Sequence, residues 1–96
     1  MNTYIVTYDL RKETSSEDYQ KLIELIKEGE VWARLGGSSY LIQSCLTAVE
    51  LRDKFKCVLD KNDMLYVGEV TAPAAWYGYS KDVSDWIISK LRDENE

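Results

Sequence analysis

Residues 30–44 read EVWARLGGSSYLIQS, two short runs rich in aromatic and aliphatic residues on either side of Gly36-Gly37. Glycine tolerates positive φ, as a tight connection between antiparallel strands demands, so Glu30 to Leu35 and Ser39 to Ser44 are expected to pair as a hairpin. They make strands two and three of a sheet whose other members flank them in sequence. Upstream, TYIVTY at residues 3–8 is β-branched or aromatic throughout, the composition of a central strand covered on both faces. Downstream, Met64 to Val70 supplies a fourth strand, and the single proline, Pro73, stops further pairing.

Helices fill the intervals. Thr14-x-x-Glu17 matches a capping box, after which Tyr19, Leu22, Ile23 and Ile26 recur at helical spacing while Glu17, Lys21, Glu24 and Lys27 face water. Gly29 ends that helix. Thr47-x-x-Glu50 is a second capping box, followed by Ala48, Leu51, Phe55, Val58 and Leu59 along one side, and Lys61-Asn62-Asp63 forms a turn. Ser80 and Asp82 open a third helix, whose Val83, Trp86, Ile87 and Leu91 make a face interrupted by Lys90. Two β-α-β halves sharing a hairpin predict an α+β, ferredoxin-like β-α-β-β-α-β fold: a four-stranded antiparallel sheet, two helices on one face, and an added C-terminal helix. The sheet's other face then needs a cover from the third helix, the aromatic Ala72–Tyr79 segment or a second copy of the chain.

At 96 residues the expectation is one domain over 1–96, with 92–96 an acidic tail. Hydrophobic residues make up 45% and charged residues 30%, which argues against disorder. No apolar run is long enough for a membrane span, and MNTYIVTYDL has no signal-peptide pattern, so a cytoplasmic protein without membrane contact is expected. Cys45 and Cys57, at opposite ends of a helix, are expected to be free thiols. The chain contains no histidine, which removes the usual zinc sites and every histidine-based triad or general base. The net charge of −5 opposes broad attraction to a nucleic-acid backbone, although Asp93, Glu94 and Glu96 contribute three of the negative charges.

In the strand order four-one-three-two, Asp9, Ser38, Ser39 and Asp63 fall at one end of the sheet. Asp9 and Asp63 could there hold a hard cation such as Mg²⁺, and in a two-fold dimer Asp9 could meet its own copy; the alternative is a solvated loop acid and turn residues. Arg11 and Lys12 could touch a nucleic-acid phosphate or stand as an exposed loop pair. Trp32, Trp76, Tyr77 and Tyr79 could stack on bases, but packing in the core or at a dimer interface, with Trp86, is the better account because no basic residues interleave with the C-terminal aromatics before Lys81. Gly36-Gly37 lacks the signature of a phosphate loop.

Three stretches carry a resemblance: Tyr4-Ile5-Val6-Thr7-Tyr8-Asp9-Leu10, Trp32 through Ser44, and Leu59-Asp60-x-Asn62-Asp63-x-Leu65-x-Val67. With them the chain resembles the small ferredoxin-like proteins related to the second universal CRISPR adaptation subunit, especially the short SinR-like phage and bacterial proteins. The resemblance implies a two-fold homodimer and, in some relatives, metal-dependent cleavage of RNA or DNA centred on the aspartate after the first strand, here Asp9. A reading of another class stands beside it: a non-catalytic phage or mobile-element protein that binds a host protein through an acidic or aromatic surface.

Overall fold

The computed structural model describes residues 1–11, 16–29 and 31–91. Strand β1 (Asn2–Asp9) is followed by α1 (Glu17–Lys27), the hairpin β2 (Trp32–Gly36) and β3 (Ser39–Ser44), α2 (Ala48–Lys56), β4 (Met64–Glu69) and α3 (Lys81–Leu91). All four strands join one antiparallel sheet in the order β2-β3-β1-β4. This is the expected ferredoxin-like arrangement with its C-terminal helix. Gly36 and Gly37 turn the hairpin at φ of 122° and 52°, values that favour glycine.

Capping decides the helix starts. Thr47 Oγ1 accepts from Glu50 N at 3.1 Å and Glu50 Oε1 accepts from Thr47 N at 2.9 Å, a complete capping box. For α1 the expected box is corrected: Ser16 is the N-cap, its Oγ accepting from Tyr19 N at 3.1 Å, so Glu17 is the first helical residue and cannot close a box. Thr14 lies outside the described residues, as do Glu30 and the acidic tail at 92–96. Ser80 caps α3, accepting from Val83 N. Helix α2 stops at Lys56, before Val58 and Leu59, which the sequence assigns to its face; both pack on the core from a tightened turn, Val58 N and Leu59 N donating to the carbonyls of Phe55 and Lys56.

Alternation along the strands sorts the two sheet faces. Tyr4, Val6, Tyr8, Tyr40 and Ile42 point towards α1 and α2 and form the core with Leu22, Ile26, Leu51 and Phe55. The second face is covered on one side only. There α3 and the segment before it lie over β2 and β3, burying Ile87, Ala33 and Leu41. Over β1 and β4 the face stays open: Ile5 and Thr7 are half-buried, and Met64 and Tyr66 are 52% and 63% exposed. The expectation that β1 is covered on both faces thus holds for its core side and at Thr3, which is buried. The reason is geometric, since an 11-residue helix α3 spans roughly 16 Å and cannot shield four strands.

Trp76 anchors the segment between β4 and α3. Its Nε1 donates to Ser84 Oγ at 3.1 Å, and its ring borders a cleft of about 340 Å³ shared with Pro73, Ile87, Ile88 and Leu91. The ring is 36% exposed. Trp76→Ala is therefore expected to cost about 2 kcal/mol, below the roughly 3 to 5 kcal/mol of a fully buried ring. Urea denaturation checks this, and an unchanged midpoint would show that the ring anchors nothing. Tyr77 departs from the packing expectation within the protomer: it is 98% exposed, beside Gly78 at φ 89°, because the chain turns outward there. Cys45 and Cys57 are exposed free thiols. Among the described residues no helix is long and apolar enough to cross a membrane.

Candidate functional site

The sheet end where β1 leaves the core gathers the residues expected there. Tyr8 N donates to Ser38 O at 3.1 Å, Ser39 lies opposite Thr7 and donates its hydroxyl to Thr7 Oγ1 at 3.0 Å, and Asp9 lies opposite Met64. Asp63 sits immediately before β4. Its Oδ1 accepts from Arg11 N and its Oδ2 from Asp60 N, each at 2.9 Å, so this carboxylate clasps the loop after β1 to the turn before β4. Asp9 is different. It is exposed, and alternation places it on the open second face, in line with Thr7 and Ile5.

A Mg²⁺ ion prefers several oxygen ligands in near-octahedral array, usually one or two carboxylates with waters. Both oxygens of Asp63 already accept backbone hydrogen bonds, Ser39 donates its proton to Thr7 and keeps its oxygen lone pairs, and among the described residues no three acidic or thiol groups converge. Asp63 is thus committed to the clasp, and Asp9 is the exposed carboxylate that would meet a cation, with waters completing the coordination. Arg11 is exposed beside the Asp63 clasp, which holds its backbone N–H. Lys12 lies outside the described residues. Of the C-terminal aromatics, Trp86 is half-buried and Tyr79 is 38% exposed at the border of the α3 cleft.

A second constellation lies on the helix side of the sheet, along its β2 edge. Lys27 Nζ sits 4.5 Å from the centroid of the Trp32 ring, and Trp32 meets Tyr40 edge-to-face at 6.0 Å. Arg34 lies opposite Tyr40 in the ladder and donates from Nη2 to Gly37 O at 3.2 Å. Tyr8 and Tyr19 form a second edge-to-face pair at 6.0 Å. Burial holds the Tyr8 phenol well above its ordinary pKa, with the Tyr19 hydroxyl adding to the effect and Arg34 opposing it; Tyr40 is raised by burial against the pull of Arg34. Sequence reasoning treats Trp32 and Lys27 separately and leaves Arg34 aside. The available signal was Trp32-x-Arg34, two residues on one side of a strand, but only the tertiary fold sets Lys27 of α1 over the Trp32 ring. The chain matches no protein-family model and, at a significant level, no curated protein.

Proposed function

We propose that the chain works in the cytoplasm as a two-fold homodimer that binds nucleic acid, kin to the second universal CRISPR adaptation subunit. The observation that carries the dimer is the open half of the second sheet face. Met64 and Tyr66 stand exposed on it, on an edge strand, Met64–Glu69, that carries no lysine, proline or bulge to discourage pairing. The Tyr66 ring lies against Gly68, where an added Cβ would come within 2.7 Å of Tyr66 Cε1, so the surface offered to a second copy is already shaped. Asp9 stands at the Met64 end of the same face, and a two-fold axis there would bring it towards its own copy.

Sedimentation equilibrium tests the reading. A dimer at micromolar concentration is expected for the natural chain, and a folded monomer for Tyr66→Glu, which would bury a charge at the interface. A monomeric natural chain would remove the proposal. Metal-dependent cleavage centred on Asp9 is the enzymatic form of the same reading. Labelled RNA and DNA incubated with Mg²⁺ decide it: cleavage lost in Asp9→Ala supports catalysis, and equal rates in the two proteins end it.

A second reading has its own observation in the fully exposed Tyr77, near Tyr79 on a chain of net charge −5. Such a surface suits a non-catalytic phage or mobile-element module directed at a basic groove of a host protein. Pull-down from host extract checks it, and the absence of a stoichiometric partner counts against it.

A further inference from the structure

We infer that the edge formed by α1 and β2, where Lys27, Trp32 and Arg34 line up, is the surface that takes a single-stranded nucleic acid, with phosphodiester groups on Lys27 and Arg34. The inference rests on the nucleic-acid reading above and gives it a location. Trp32 and Arg34 share one side of β2 and stand roughly 6.6 Å apart along the strand. Lys27, in the last turn of α1, caps the Trp32 ring, so ammonium, indole and guanidinium follow one another along a single edge.

Charge pairing leaves the cations of this edge unspent, as it does Arg11, Lys61 and Lys90, but among the described residues only here does such a cation cap an aromatic ring. Lys21, Arg52, Lys54, Lys56 and Lys81 each stand within 4 Å of a carboxylate. Among the described residues no carboxylate pairs with Lys27 or Arg34, which meet an aromatic ring and a backbone carbonyl respectively. One guanidinium nitrogen is tied to Gly37 O, which fixes the fork and leaves its remaining N–H groups to reach a phosphate. The half-buried indole packs on the core beneath Lys27 and leaves its exposed part beside two cations, a combination of charge and aromatic surface that suits a single strand. The acids of α1 limit the footprint: Glu17 and Asp18 occupy the opposite end of the helix and Glu24 faces water. Against a net charge of −5, binding through two cations is local and salt-sensitive.

The test is fluorescence anisotropy with labelled RNA and DNA single strands of about a dozen nucleotides, titrated at several salt concentrations. Two phosphate contacts predict a slope of log affinity on log salt of about −1.4, at roughly −0.7 each. Lys27→Gln with Arg34→Gln is expected to weaken binding by about tenfold or more at low salt and to flatten the slope. Lys27→Arg with Arg34→Lys should restore much of the affinity, and Lys81→Gln, on α3 and paired with Asp85, should leave it within about twofold. Circular dichroism confirms folding, and Arg34→Gln alone provides a milder variant that keeps Lys27 over Trp32. If the double glutamine variant binds like the natural chain, the edge is not the site, although the nucleic-acid reading survives. If the natural chain binds neither strand, both fail. Displacement of the strand by oligoglutamate at equal concentration would overturn the inference in favour of an acidic peptide.

Discussion

Phe55→Ala is expected to lower the folding free energy by about 3 to 5 kcal/mol, a large share of the roughly 5 to 15 kcal/mol available to a small domain. Phe55 is 1% exposed and belongs to the cluster that joins α2 to Tyr4, Val6, Ile42, Leu22 and Ile26. Truncation there removes contacts to the sheet and to α1 together and leaves a cavity that neither layer can close by shifting alone. Val49 on the same helix is 57% exposed, and Val49→Ala serves as the control, expected within about 0.5 kcal/mol of the natural chain. Urea denaturation reads both, with the midpoint falling at constant slope for Phe55→Ala. A loss below about 1 kcal/mol would show that the two helices do not share one core.

Alkaline titration should unfold the protein more steeply than its exposed groups account for. Tyr8 and Tyr40 have phenols raised by burial above the ordinary value near 10. The folded chain holds these protons after the unfolded chain has released them. Their contribution is therefore complete below pH 10 and is lost progressively as pH climbs from 10 towards the raised folded values. Tyr8→Phe removes the larger of the two and is expected to flatten the decline of stability above pH 10. Urea midpoints at successive pH values, followed alongside tyrosinate absorbance, measure it. An identical pH profile for Tyr8→Phe and the natural chain would contradict the burial argument.

The strand order and both capping-box proposals show where local sequence speaks and where it does not. Gly36-Gly37, the alternation of β3 and the Thr47–Glu50 box are legible because turn geometry, period and capping act within a few residues. The Thr14 box misled because three hydroxyl residues, Thr14, Ser15 and Ser16, precede Glu17, and only backbone geometry chooses the cap among them. The gathering of Asp9, Ser38, Ser39 and Asp63 follows from strand order alone. What each does was hidden, since the backbone amides of Arg11 and Asp60 that engage Asp63 depend on how two loops meet. The Lys27–Trp32–Arg34 edge was hidden for the same reason.

The position of β1 has a consequence for how the chain comes together as it is made. Its first partners wait: Asn2 through Thr7 pair with Ser44 through Ser39, and Tyr4 through Asp9 pair with Glu69 through Met64. Strand β1, an inner strand of the sheet, thus leaves the ribosome before both of its partners, and its second flank is satisfied only when Glu69 has emerged. Until then an aromatic and β-branched segment stays unpaired on both sides, a state open to association with other nascent chains. Contacts so distant in sequence slow folding through loop-closure entropy, while α2, with its complete cap, forms early and locally. Helix α3 follows the four strands in the chain, so a chain cut at Glu69 would retain every strand pairing while leaving Ala33 and Leu41 bare.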